Sequence, residues 1–172
     1  MQPEPGQAKV VEDGLRRVLA PNAGPMTHWG TNTFILGEGE VAIIDPGPDD
    51  DRHLSALRMA TQGETITHIL VTHAHLDHSP LAHRIAQETG APIIAFGSPD
   101  AGRSPTMREL AAAGTAGGGE GVAHQFQPDK IVGDGDVIEG GQWRLNVHHT
   151  PGHFAGHLSF QLGDTVISGD HV

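Results

Sequence analysis

The chain has 172 residues, 37% of them apolar, enough for one domain with a core of its own. It contains no cysteine, which excludes disulfides and thiolate metal sites and leaves His, Asp and Glu as the side chains able to hold a metal. Ten Lys and Arg stand against 21 Asp and Glu, and the formal charge of −11 opposes binding along a polyanionic phosphate backbone.

Residues 1–6 show neither the basic nor the apolar region of an export signal, and no run of about 18 apolar residues occurs. With no cysteine to suffer in a reducing compartment, the expectation is a cytoplasmic protein without a membrane span. Short strands are predicted at 15–20, 32–36 and 41–44, the last two joined by the Gly-containing connection 37–40. The apolar run Val41 to Ile44 stops at Asp45-Pro46-Gly47-Pro48, a turn sequence. Asp49, Asp50 and Asp51 place negative charge where a helix would begin, and Leu54 and Leu57 continue at helical spacing. A strand over 66–71 leads into Thr72-His73-Ala74-His75-Leu76-Asp77-His78, after which Leu81, Ala82, Ile85 and Ala86 mark a helix ended by Gly90. A strand at 92–96 completes a strand–helix–strand alternation that implies an α/β arrangement.

From 97 to 130 the periodicity lapses. A helix over 104–113 is predicted, with Ser104 as cap and Pro105 at its first position, followed by the Gly-rich run 114–121; the segment reads as a mobile insertion. Only strands follow, at about 131–138 around a Gly-Asp-Gly-Asp turn, then 143–148, 158–162 and 165–168. The whole of 1–172 is read as a single domain.

The 73–78 stretch carries three imidazoles and one carboxylate directly after a buried strand, a rigid place to mount metal ligands. Successive side chains on a strand alternate faces, so the backbone must turn inside the motif. His73 and His75 then point to one side and Asp77 with His78 to another, which suits two adjacent metals better than one. A second cluster, His148-His149-Thr150-Pro151-Gly152-His153 with His157 beyond it, also follows a strand, and its Pro-Gly turn would present His153 at a fixed angle. Ser168-Gly169-Asp170 ends the last strand and sends Asp170 past the sheet edge. Asp45 admits two readings, a turn former or a carboxylate supporting the site. His149 and His157 read as neighbours of a ligand, and His171, adjacent to Asp170, should point the other way. His28, His53, His68, His83 and His124 read as ordinary polar positions.

In their order and separations, the His-x-His-x-Asp-His motif, the Thr-Pro-Gly-His turn, the Ser-Gly-Asp strand end and Ile44-Asp45-Pro46-Gly47 resemble the metallo-beta-lactamase fold superfamily. Gly30-Thr31-Asn32-Thr33 and Asp77-His78-Ser79-Pro80 resemble most its lactamase-beta-like and glyoxalase II-like branch. The resemblance implies a four-layer αββα sandwich with metals at one edge between two mixed sheets. It implies that His73, His75 and His153 bind one metal, that Asp77 and His78 bind a second, that Asp170 bridges the two, and that His28 lies near the mouth of the active site. The family's usual last ligand, a further downstream His, has no counterpart in these residues. The second half is therefore expected to be incomplete, lacking C-terminal elements, with apolar sheet surface to be covered by further chain or by a second subunit in a homo-oligomer.

The implied activity is binuclear metal-dependent hydrolysis by a metal-bound hydroxide, with Asp77 and Asp170 orienting it, on a small thioester, ester or lactone. Zinc is the expected cation, and His/Asp ligands suit iron or manganese as well. A single-strand endoribonuclease is the alternative within the family, against which the acidic balance stands. An inactive metal-binding fragment is the alternative from another class. A small-molecule substrate is expected as partner, and neither nucleic acid nor a membrane.

Overall fold

The computed structural model describes residues 3–114 and 121–171. Seven strands form the first sheet in chain order: β1 (Ala8–Glu12), β2 (Leu15–Leu19), β3 (Asn32–Leu36), β4 (Glu40–Ile44), β5 (Thr65–Leu70), β6 (Ile93–Ala95) and β7 (Lys130–Ile131). β1 to β4 pair antiparallel, and β4 to β7 pair parallel. The second sheet is antiparallel, in the order β11 (Thr165–Ile167), β10 (Leu158–Leu162), β9 (Trp143–His149), β8 (Val137–Gly140). The helices are α1 (Asp51–Ala60), α2 (Leu81–Thr89) and α3 (Pro105–Ala112), and none is long and apolar enough to cross a membrane.

Why the central strands read as unbroken apolar runs is visible in the packing. On β4, Val41 and Ile43 face Leu54 and Leu57 of α1, while Ala42 and Ile44 face the second sheet. Just beyond, Ile69 and Val71 join the helix side and Leu70 the sheet side, where Leu145, Val147, Leu158 and Phe160 meet it. A strand buried on both faces needs apolar residues at every position. The parallel order also matters for function, because it brings the C-terminal ends of β4 and β5 to one edge.

Four expectations are corrected. β1 was not foreseen; it is an edge strand with Val10 76% exposed, so no burial alternation marks it. The strand expected over 131–138 is two strands in different sheets. Asp136 Oδ2 accepts from Gly133 N–H at 2.8 Å, and this Gly-Asp-Gly-Asp corner carries the chain from the first sheet to the second. The outward face of the second sheet meets the expectation of apolar surface only in part. Register aligns exposed Val137 and Val166 with Asn146 and Gln161 across it, beside the Glu139–Arg144 ion pair, so strand alternation has put polar groups between the valines. The expected fold class itself stands: α1 and α2 pack on the first sheet and α3 buries none of its side chains, so among the described residues the layers are helix, sheet, sheet, as an αββα sandwich with an incomplete second half requires. Within the 97–130 segment, Val122 and Phe126 are buried in the helix-side core, and residues 115–120 lie outside the described residues.

His53 is the fourth correction, being fully buried rather than an ordinary polar position. It sits on the inward face of α1, whose start Asp50 caps by accepting from Arg52 and His53 N–H groups. Thr33 donates its hydroxyl hydrogen to Asp45 O, so it accepts from His53 Nε2 at 2.8 Å. Burial pushes the His53 pKa down to about 4, against the pull of Asp50. The folded chain thus refuses a proton that the unfolded chain accepts below pH 6.5. Stability is complete above that pH and is lost as pH falls towards 4. Between pH 7 and 5 the loss owed to His53 is about 2 kcal/mol. Urea titrations at the two pH values should show that loss, and His53→Gln should show correspondingly less of it.

Candidate metal centre

Three strand ends and one loop build the site. Beyond β5 the chain turns within the motif: His78 N–H and Ser79 N–H both donate to His75 O, at 3.1 and 3.0 Å. Opposite, at the end of β4, Asp45 adopts φ 50, a left-handed conformation that Asp tolerates better than most residues. Its carboxylate is 2% exposed and takes three hydrogen bonds. Thr72 N–H reaches Oδ1 at 2.8 Å, while the Thr72 hydroxyl and His78 Nδ1 reach Oδ2 at 2.7 and 2.8 Å.

These bonds decide where ring protons sit. The Thr72 hydroxyl has one hydrogen and donates it to Asp45, so at its 3.0 Å contact with His73 Nδ1 it accepts. His73 is therefore protonated at Nδ1 and presents a bare Nε2. That atom lies 2.9 Å from His75 Nδ1, which lies 3.0 Å from His153 Nε2. Burial first, then the neighbouring imidazoles, push the His73 pKa strongly down. His75 is lowered by burial and by His153. Three ring nitrogens converging on one point, with the Asp170 carboxylate beside them, form a donor set that would suit a cation.

Asp170 closes this group on one side and opens a second. Its Oδ2 lies 3.6 Å from His153 Nε2 and 3.9 Å from His73 Nε2, and its Oδ1 lies 3.3 Å from His78 Nε2. Asp77 Oδ2 is 3.4 Å from the same His78 nitrogen. Two sets of converging donors result: His73, His75, His153 and Asp170, and then Asp77, His78 and Asp170, each within 4.8 Å. In the second set burial opposes a charged His78, but Asp45, Asp170 and Asp77 outweigh it and hold its pKa well above the usual histidine value. A cation held by two carboxylates and an imidazole would take over the role of that proton. The chemistry of the residues present fits a cation at either donor set, and Asp170 belongs to both.

All six residues singled out from the sequence as ligands are brought together. Asp45 proves to touch the site directly, through His78 and Thr72. His157, fully buried, stacks on His73 with ring centres 4.9 Å apart, and its Nδ1 meets Thr150 Oγ1. His149 stacks on Phe96 instead, and His171 lies against His157 outside both donor sets.

Two residues escaped the sequence reading as site members. Thr31 Oγ1 donates to Asp77 Oδ2 at 3.0 Å, and Thr72 sets the His73 tautomer. Thr31 had figured only within the Gly30–Thr33 resemblance, and a threonine before a histidine carries no signal of its own. Beside Asp77 and Asp170 opens a cavity of about 310 Å³, lined among others by Met26, His28, Phe34 and Val166.

A family model described as the Metallo-beta-lactamase superfamily matches residues 26–172. A beta-lactamase-like protein 2 homolog from Caenorhabditis elegans is 31% identical, over 94% of this chain and 51% of its own. An atrochrysone carboxyl ACP thioesterase from Aspergillus fumigatus is also 31% identical, over 99% of this chain and 49% of its own. For a hydroxyacylglutathione hydrolase from Rhodospirillum rubrum the figures are 33%, 76% and 44%. A solved metallo-beta-lactamase family protein from Thermus thermophilus superposes with a TM-score of 0.67 at 27% identity, covering 92% of this chain and 60% of its own. The chain spans about half the length of the curated relatives it matches.

Proposed function

Because the chain belongs to the metallo-beta-lactamase superfamily, we propose that its site serves a two-metal hydrolase acting on a small thioester, ester or lactone. The observation carrying this reading is Asp170, whose two oxygens face two separate donor sets. The thioester leads among substrates because one relative is named a thioesterase and another a hydroxyacylglutathione hydrolase.

His73, His75 and His153 would hold one cation, Asp77 and His78 the other, and Asp170 both; zinc leads, with iron or manganese suited to the same donors. Two bound divalent cations supply Lewis acidity towards a carbonyl oxygen and lower the pKa of water to about 7, which makes hydroxide available at neutral pH. The protein's own contribution is to fix the donors. Asp45 keeps the His78 Nδ1 proton away from the site, and Thr72 does the same for His73. Burial works against an ionised Asp77, but its hydrogen bonds to His78 and Thr31 lower its pKa to about 2, so it remains an acceptor throughout the neutral range. The cavity between Phe34, Val166 and the 26–31 loop would receive the acyl group beside these carboxylates.

Full-length protein purified with zinc, iron or manganese should hold two equivalents of metal per chain by elemental analysis. It should hydrolyse a member of a thioester, ester and lactone panel, and a chelator should abolish this. Two bound equivalents with no hydrolysis across the panel would overturn the reading.

A further inference from the structure

We propose that Asn22 and Thr31 are positioning residues that hold the Asp77 carboxylate for the second cation and so couple the loop between β2 and β3 to that cation's affinity. The proposal rests on the two-cation reading above. Its basis is a chain of hydrogen bonds whose direction leaves no freedom. Thr31 N–H donates to Asn22 Oδ1 at 2.9 Å, which identifies the Asn22 oxygen and turns its amide nitrogen to Thr31 Oγ1 at 3.0 Å. That amide is a donor only, so the Thr31 oxygen accepts there and its single hydrogen goes to Asp77 Oδ2.

The carboxylate is thus held through Oδ2 by a residue 46 positions away in sequence. Thr31 is only 6% exposed, so water offers little substitute for its hydroxyl. The backbone beneath it is equally constrained. Gly30 has φ 129, and a Cβ there would lie 2.1 Å from Ala20 O and 3.1 Å from Asn22 Oδ1. Residues 22 to 31 also carry Met26 and His28, which line the cavity beside Asp77. A ligand that shifts this loop therefore pulls on Asp77 through Asn22 and Thr31, whereas among the described residues no hydrogen bond joins the loop to His73, His75 or His153.

The test uses the full-length protein titrated with cobalt(II), with both sites followed by absorption and the total by elemental analysis. Thr31→Val keeps the shape and removes the donor. It should weaken the second equivalent by about 10- to 100-fold, the range typical of partners behind a metal ligand, and perturb only that site's bands. Thr31→Ser should restore affinity and spectrum to near wild type, which a role in packing alone would not predict. Asn22→Ala should fall between, and it carries the test if Thr31→Val does not fold. A wild type holding one equivalent overturns the two-cation reading and this proposal with it. Two equivalents in the wild type, with unchanged second-site affinity and spectrum in the folded variants, overturn the positioning role alone.

Discussion

Asp170→Ala is expected to lower both the metal content and the proposed hydrolytic activity, with kcat/KM falling by more than the roughly 100-fold upper range for residues behind a ligand. Among the described residues Asp170 is the one side chain that belongs to both donor sets, with Oδ2 towards His73 and His153 and Oδ1 towards His78. Asp77→Ala provides the contrast, since Asp77 belongs to the second set alone. Elemental analysis should find the second equivalent lost from Asp77→Ala and the first retained. In Asp170→Ala the second should be lost and the first weakened. If the two variants behave alike in metal content, Asp170 does not bridge. An activity loss without any change in metal binding would instead move its role to the substrate.

The largest effect on stability is expected at Asp45. Removing its carboxylate leaves the Thr72 N–H, the Thr72 hydroxyl and His78 Nδ1 without their acceptor in the interior. Breaking a buried charged pair from one side costs about 3–5 kcal/mol. Asp45→Ala adds the strain of alanine at φ 50, about 1–2 kcal/mol. Asp45→Asn is the cleaner variant because asparagine also tolerates that backbone. Its amide nitrogen must still face one of the three donors. Denaturant midpoints should rank wild type, then Asn, then Ala.

A second consequence of the Asp45 substitutions reaches the metal. Once Asp45 no longer takes the Thr72 hydrogen, that hydroxyl can donate to His73 Nδ1, and the ring proton can move to Nε2, where it blocks the lone pair. Metal retention at the three-histidine set should therefore fall in Asp45→Ala, and in Asp45→Asn only if its amide nitrogen, rather than its oxygen, faces the Thr72 hydroxyl. Retention equal to wild type in Asp45→Ala would show that the His73 tautomer is set some other way.

How much of this was legible in the chain varies with position. β3 to β5, α1 and α2 were readable because their apolar residues keep the spacing of elements packed on a core. β1 lies at an open edge and shows no such spacing. The Gly-Asp-Gly-Asp corner was visible as a turn, but which sheet receives each side of it depends on partners far along the chain. The polar part of the second sheet's outward face could have been read from Arg144 and Asn146 at alternate positions on β9 and from Gln161 on β10. His53 looked ordinary because burial of a polar ring depends on what lies opposite, here Thr33 and Gly47.

By itself the sequence determined which side chains could bind metal and that they emerge at strand ends, because strand alternation and tight turns are local and dictate how each residue is presented. It also determined that the motif must bend, separating His73 and His75 from Asp77 and His78. That Asp170 would stand between the two sets was implied by the resemblance, and the structure supplies the geometry; the tertiary structure alone decided that Asp45 holds His78 and Thr72 and that Thr31 holds Asp77. Those contacts join residues 27 to 46 positions apart, or donors from different sheets. They follow from how the two sheets pack face to face and bring their strand ends to one side, and local periodicity carries no record of that packing.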